Sequence, residues 1–526
     1  MSPVLQLRDV SVTYRGADEP AAAGVNLSLD EGETLGLAGE SGCGKTTLAM
    51  SVLRLLPRSA HIDGEVLLDG EDVRGMRFGR LRAVRWASAS VVFQGAMHAL
   101  NPVRTIGQQI AEPMKLHGTS EDVDRRVGEL LEQVELPADR AGAYPHELSG
   151  GQKQRVMIAM ALACDPRLII ADEPTTALDV VVQAQVLELL KRLVAEHGIA
   201  LMMISHDLSA LSASCSRLAV MYRGELVEHG PTEQVMADPR HEHSRALAAA
   251  FPTVGDPRFR LTDGVSGGDP LLAASGVSVE FRSRAGGAVR AVRGVDLAVR
   301  DDEIVALVGQ SGSGKTTLAR ALLGLQRPTG GSVLFGGTPL PSGASGLRDY
   351  RRKVQLVLQD PTGALNPRHT VYEAVAEGLR VHGITDDEPG RVAAALEAAE
   401  LRPAEDYFGR LPQELSGGQR QRVVIAGALV LEPEVLIADE PVASLDATVR
   451  GEILALLLRL RVERGLATLV ITHDLGLAWN IADRVAVMYQ GEIVEEGTVD
   501  QVLQDPAHTY TKTLLAAVPA TTRTPD

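Results

Sequence analysis

Two lysines stand in the pattern G-x-x-x-x-G-K-[ST], Lys45 in "GESGCGKTT" (39–47) and Lys315 in "GQSGSGKTT" (309–317). Gly39, Gly42 and Gly44 let the chain turn tightly enough to aim backbone N–H groups inward at anion oxygens. The helix start that follows adds partial positive charge. Lys45 brings a full charge to terminal phosphates, and the Thr46 hydroxyl suits a Mg²⁺ ion. Ser41, Cys43 and Thr47 complete this loop; Gly309, Ser311, Gly312, Ser313, Gly314, Lys315, Thr316 and Thr317 repeat it. Two matches in repeated context argue against a solvated glycine turn. Farther along come "LIIADEPTTALD" (168–179) and "VLIADEPVASLD" (435–446). Each apolar run reads as a buried strand that delivers its carboxylates to the strand's C-terminal edge. There Asp172 and Asp439 suit Mg²⁺ through water, while Glu173 and Glu440 suit orienting or deprotonating an attacking water.

The elements that hold these residues come in two copies. "HELSGGQKQR" (146–155) returns as "QELSGGQRQR" (413–422), and "MISHDLSAL" (203–211) returns as "VITHDLGLA" (470–478). Ser149 and Ser416 lie 267 positions apart, as do Glu173 and Glu440, whereas the two lysines are 270 apart, so small net insertions intervene. A duplicated domain results, with expected halves at 1–250 and 273–526 and a Pro-, Gly- and Asp-rich linker over 251–272. Strand-like "TLGLA" (34–38), "LIIA" (168–171) and "LMMIS" (201–205) alternate with helical patterns, as in a parallel α/β sheet. Val123, Val127, Leu130, Leu131 and Val134 share one helical face, which predicts a helical insertion between the first lysine motif and the serine-glycine phrase.

Bulk properties narrow the classes. The 526 residues are 45% hydrophobic and 23% charged, and 52 basic against 68 acidic residues leave a net charge of −16. That sign disfavours a nucleic-acid partner. Three scattered cysteines make neither a disulfide framework nor a CxxC metal site. No signal-peptide pattern opens the sequence, and no apolar stretch reaches the roughly 18 residues of a membrane span.

Taken together, these motifs resemble the nucleotide-binding domains of ABC ATPases over nearly the whole chain. Phosphate loops alone occur in many folds; the set is what is specific. Gln94 and Gln359 match the family's Q-loop glutamine near Mg²⁺, "LSGGQ" its signature, Asp179 and Asp446 its D-loop, and His206 and His473 its switch histidine. Tyr14 and Phe281 sit where the family stacks an aromatic on adenine. The resemblance implies two tandem P-loop domains pairing head to tail, each ATP lying between the cradle of one and the signature of the other. Ser149, Gly150, Gly151 and Gln152, with Ser416, Gly417, Gly418 and Gln419, would then be the second jaws of two clamps. The glycines would let N–H groups approach a γ-phosphate closely. Both halves keep every catalytic position, so two competent sites are expected.

With no span of its own, such a chain is expected at the cytoplasmic face of a membrane, partnered by two permease subunits and an extracytoplasmic substrate-binding protein. A soluble ATPase acting on ribosomes is the competing class, but that branch carries a long charged arm and basic surfaces, both missing here. Within importers the details resemble the oligopeptide and dipeptide group: "ALNPVRTIGQQIAEPM" (99–114), "ALNPRHTVYEAVAEGL" (364–379) and the tail "DPAHTYTKTLLAAVP" (505–519). A worn tail, "DPRHEHSRALAAAFP" (238–252), puts His243 where the tyrosine stands. Sugar, nickel and glutathione importers are the nearer alternatives. After Gln94 comes "GAM" in place of Asp-Pro, so the first half is expected to meet a different partner from the second. The cysteine-free ending "PATTRTPD" predicts no iron–sulfur cluster, and Cys43 reads as a small residue in Ser313's place more readily than as a redox sensor.

Overall fold

A computed structural model describes residues 3–93, 95, 99–118, 122–176, 178–249, 252–262, 268–282, 288–443 and 445–518. The chain divides into two compact units, one ending at Phe251 and the other running from Pro252 to Val518.

In the first unit the strands are β1 (Leu5–Tyr14), β2 (Ala22–Leu29), β3 (Thr34–Ala38), β4 (Ala60–Leu68), β5 (Glu71–Asp72), β6 (Ala89–Val92), β7 (Leu168–Asp172), β8 (Ala200–Ile204), β9 (Arg217–Tyr222) and β10 (Glu225–Pro231). They form an antiparallel sheet β2-β1-β4-β5 and a second sheet β10-β9-β3-β8-β7-β6. The second sheet is parallel except for the β9–β10 hairpin. Strands β6, β7 and β8 are buried at every residue, which is why they read as unbroken apolar runs rather than alternating ones. One core joins both sheets: Leu5, Leu29 and Val66 pack with Leu48, Ile170 and Ile204.

The second unit repeats the arrangement. Its strands are β11 (Pro270–Arg282), β12 (Ala288–Arg300), β13 (Ile304–Val308), β14 (Gly330–Phe335), β15 (Thr338–Pro339), β16 (Val354–Val357), β17 (Val435–Asp439), β18 (Ala467–Thr472), β19 (Arg484–Tyr489) and β20 (Glu492–Thr498). Their orders are β12-β11-β14-β15 and β16-β17-β18-β13-β19-β20. The first strand starts at Pro270, three residues before the expected start of the half. Proline is tolerated there because a first strand residue need not donate to the ladder.

Between β6 and β7 stand the helices Ile106–His117, Val123–Gln133 and Gly150–Leu162, the expected helical insertion. Val127, Leu130, Leu131 and Val134 are buried there, while Val123 is only half-buried.

Part of the stretch read as linker is docked on the second unit. Trp479 Nε1 donates to the Asp256 carbonyl at 3.0 Å, and Arg260 donates to the carbonyls of Trp479 and Ala482, both at 2.7 Å. Thr262 donates to the buried Asp483 carboxylate at 3.0 Å. These bonds seat residues 256–262 on the helix Leu475–Ile481, directly after the switch histidine. Among the described residues no helix is long and apolar enough to cross a membrane.

Candidate functional site

Each phosphate loop bridges a buried strand and a helix: β3 to Lys45–Val52, and β13 to Lys315–Leu322. Gly44 caps the first helix in the left-handed region, φ 100°, and Gly314 does the same at φ 110°. A Cβ on Gly44 would stand 1.9 Å from the Ala21 carbonyl oxygen, and one on Gly314 2.3 Å from that of Ala291. Conformation and space both require glycine at these two positions.

The lysines are buried and turned back on their own loops. Lys45 Nζ donates to the carbonyls of Gly39 (2.8 Å) and Glu40 (2.7 Å), and Lys315 Nζ to those of Gly309 (2.6 Å) and Gln310 (2.8 Å). A bound phosphate would take these donors over. The loop thus holds its cation in place before any anion arrives. Cys43 lies beneath the first loop, and burial pushes its thiol up, with Lys45 offsetting only part of the shift. That favours the protonated, unreactive form.

The carboxylates stand where the strands end. Asp172, last residue of β7, accepts from Thr46 Oγ1 at 3.2 Å, and Asp439, last of β17, accepts from Thr316 Oγ1 at 3.1 Å. Burial raises both aspartates, and the neighbouring glutamate charge adds to it. A cation beside them would reverse that logic. A hydroxyl and a carboxylate, joined by phosphate oxygens and water, fit Mg²⁺, which keeps several waters and needs few protein ligands. Among the described residues no cluster of three or more His, Cys, Asp or Glu side chains could hold a metal ion.

Glu173 and Glu440 occupy the left-handed region, φ 46° and 50°, although neither is glycine. Their backbone N–H groups donate to Ile204 and Ile471, each at 2.9 Å, which pins the turn. Non-glycine residues held at such φ cost about 1–3 kcal/mol and gather at functional sites. The turn swings each side chain away from its aspartate and toward the histidine after the next strand. His206 Nδ1 lies 3.1 Å from Glu173 Oε1, and His473 Nδ1 lies 2.7 Å from Glu440 Oε1. Burial would raise Glu173, but the bonds from His206 and Thr176 outweigh it and hold the carboxyl below its ordinary range. Burial would lower His473, yet its bond to Glu440 outweighs that and raises it.

One contact cannot be repeated by the matching side chain of the other half. Thr176 Oγ1 donates to Glu173 Oε2 at 2.8 Å, whereas the matching position after Glu440 is Ala443. The sequence reading passed over Thr176; aligning "DEPTTALD" with "DEPVASLD" exposes the difference.

The signature phrases begin the helices Gly150–Leu162 and Gly417–Leu429. Ser149 and Ser416 are exposed N-caps. Each accepts from the N–H of Gln152 or Gln419, and each glutamine returns a bond to the serine N–H at 3.0 Å. This capping box gives Gln152 and Gln419 a structural duty the sequence reading did not assign. The two glycines also differ. A Cβ on Gly151 would meet Val182 Cγ1 at 2.4 Å, and one on Gly418 would meet Val449 Cγ1 at 2.4 Å, so the second glycine is required for helix packing.

Asp179 caps the helix Val180–His197, accepting from Val182 N at 3.1 Å, and Asp446 holds the same N-cap position before Ala447–Arg464. The aspartates after the histidines are also caps. Asp207 accepts from Ser209 and Ala210 and is tied to Gln183; Asp474 accepts from Leu477 and is tied to Arg450. Each histidine is thereby anchored to the helix that follows the D-loop.

Tyr14 ends β1 with its hydroxyl 3.1 Å from Thr47 Oγ1, beside the cradle. Phe281 is 43% exposed near the end of β11 and pairs across the sheet with Val289. Gln359 is exposed just past β16; Gln94 lies outside the described residues.

Paired strand–loop–helix cradles with a hydroxyl–carboxylate pair, a glutamate–histidine pair and a serine-capped signature helix define a nucleotide-hydrolysing cassette. The chain belongs to the ABC transporter family, whose model matches residues 22–176 and 292–443, and it is an ATP-binding, ATP-hydrolysing member. Residues 494–526 match the oligopeptide/dipeptide transporter C-terminal region. Among similar proteins, the glutathione import ATP-binding protein GsiA of Salmonella paratyphi A is 41% identical, over 97% of this chain and 88% of the relative. The peptidoglycan transport ATP-binding protein YejF of Agrobacterium fabrum is 43% identical, over 98% and 96%. The Escherichia coli K12 GsiA is 41% identical, over 98% and 89%.

Proposed function

We propose that this chain is the energy-coupling ATPase of an importer of peptides or glutathione-like cargo. It would act at the cytoplasmic face of the membrane on two permease subunits, with cargo delivered by an extracytoplasmic binding protein. The observation that carries the reading is the tail, residues 494–526, matching the oligopeptide/dipeptide transporter C-terminal region in a chain whose full-length relatives are named for glutathione and peptidoglycan transport.

In this reading each signature phrase acts on bound nucleotide as the second jaw of a clamp. Support comes from the exposed N-caps Ser149 and Ser416, which leave the positive ends of two 13-residue helices open to an anion. Lys45 and Lys315 exchange their loop carbonyls for β- and γ-phosphate oxygens. Glu173 and Glu440 receive a proton from the attacking water, and His206 and His473 hold each carboxylate by the bonds at 3.1 and 2.7 Å. Tyr14 and Phe281 lie against adenine. Thr46 with Asp172, and Thr316 with Asp439, would hold Mg²⁺, with Gln94 and Gln359 as further candidate ligands. When bound, the ion neutralises the phosphate charge that builds up during transfer.

Reconstitution with the two permeases tests this. Peptide-loaded binding protein is expected to stimulate ATP hydrolysis, and Glu173→Gln and Glu440→Gln are each expected to lower turnover at their own site about 10²–10⁴-fold. Hydrolysis indifferent to permeases and to peptide would defeat the importer reading while leaving the ATPase intact.

A further inference from the structure

The tail helix of each unit reaches under that unit's phosphate loop. In the second unit Glu495, on β20, accepts from the N–H groups of Ala507 (2.6 Å) and His508 (3.1 Å) and so fixes the turn "DPAH". His508 then caps the helix Thr509–Ala517 by accepting from Tyr510 N at 3.1 Å. Tyr510, 8% exposed, stacks on Tyr489 with ring centroids 4.1 Å apart. Its hydroxyl accepts the backbone N–H of Gln310 at 3.0 Å. Gln310 is the second residue of the cradle, and its carbonyl is held from the other side by Lys315.

The first unit builds the same seat and puts a different group in it. Glu228, on β10, accepts from the N–H groups of Arg240 (2.9 Å) and His241 (3.0 Å), and His241 accepts from His243 N at 3.1 Å. His243, 9% exposed, lies 4.2 Å from the Tyr222 ring, as Tyr510 does from Tyr489. Its Nε2 is buried without a hydrogen-bond partner. Burial pushes the ring below the ordinary histidine range, so it is neutral at pH 7; Glu40 alone opposes that shift, while His241 and Lys45 add to it.

We infer that Tyr510 is a positioning residue of the second ATP site, fixing the Gly309–Gln310 peptide so that the loop meets phosphate preformed, and that His243 holds the same seat in the first site without that bond. The two sites therefore differ in nucleotide affinity through their tails, the second being the tighter. A preformed loop saves ordering cost on binding. The inference rests on ATP being the ligand of both cradles.

The experiment is ATP binding by calorimetry on the full chain, one site at a time. Lys45→Ala leaves the second site to be read, and Lys315→Ala leaves the first. Tyr510→Phe keeps the stacking and removes the hydroxyl; in the Lys45→Ala parent it is expected to raise Kd for ATP about threefold to tenfold, as for loss of one hydrogen bond. His243→Phe in the Lys315→Ala parent is expected to change Kd less than twofold, and His243→Tyr to lower it. In the permease complex, Tyr510→Phe should raise KM for ATP with kcat nearly kept. Unchanged affinity in Tyr510→Phe overturns the proposal, as does an equal loss in His243→Phe, which would make the seat a matter of packing alone. No ATP binding by either parent would overturn the nucleotide reading itself.

Discussion

The two glycines of the second signature phrase should respond unequally to the same added methyl group. On Gly417 a Cβ would find only Leu445 Cδ2, at an ordinary 3.7 Å, whereas on Gly418 it would lie 2.4 Å from Val449 Cγ1. A carbon–carbon contact wants about 3.5–4.0 Å, so Gly418→Ala must push the helix Gly417–Leu429 away from Ala447–Arg464 by about an ångström or turn Val449 off its rotamer. Overpacking of this kind costs about 1–3 kcal/mol. For a unit of this size that lowers the unfolding midpoint by roughly 2–10 °C, while Gly417→Ala should stay within about 0.5 kcal/mol. Val449 is half-buried, so Val449→Ala alone costs little and should restore most of what Gly418→Ala loses. The assay is thermal unfolding of the full chain for both single variants and the Gly418→Ala/Val449→Ala pair. Equal destabilisation by the two alanines, or additivity of Gly418→Ala with Val449→Ala, would refute the packing argument and leave close phosphate approach as the sole reason for the second glycine.

Other outcomes follow from the same geometry. Thr176→Ala, read in a Glu440→Gln background, removes a donor that helps hold Glu173 low; its carboxyl should rise, so the acid limb of the pH–rate profile moves to higher pH. No movement of that limb would detach Thr176 from catalysis. For His473 the folded value is raised, so its stabilisation is complete below about pH 6.5 and fades as pH climbs through the folded value. Urea unfolding across pH 5–9 should show that slope in the parent and lose it in His473→Ala.

The sequence alone determined the duplication, the cradles, the carboxylates and the strands that carry them. These are local patterns: a glycine loop and an apolar run ending in Asp-Glu each state their geometry within about ten residues. The strands at 34–38 and 168–171 were legible because a strand buried on both faces is mostly apolar. What the fold alone decided are the contacts between segments distant in sequence. The left-handed turn at Glu173 and Glu440 depends on a bond to the neighbouring strand. The packing of Val182 and Val449 against signature glycines depends on where two helices cross. The docking of residues 256–262 on Trp479, and of Tyr510 beneath Gln310, joins segments about 200 residues or more apart. A pattern of residue types records what one segment can do by itself; which donor meets which acceptor across the chain is fixed only when the sheets close around a common core.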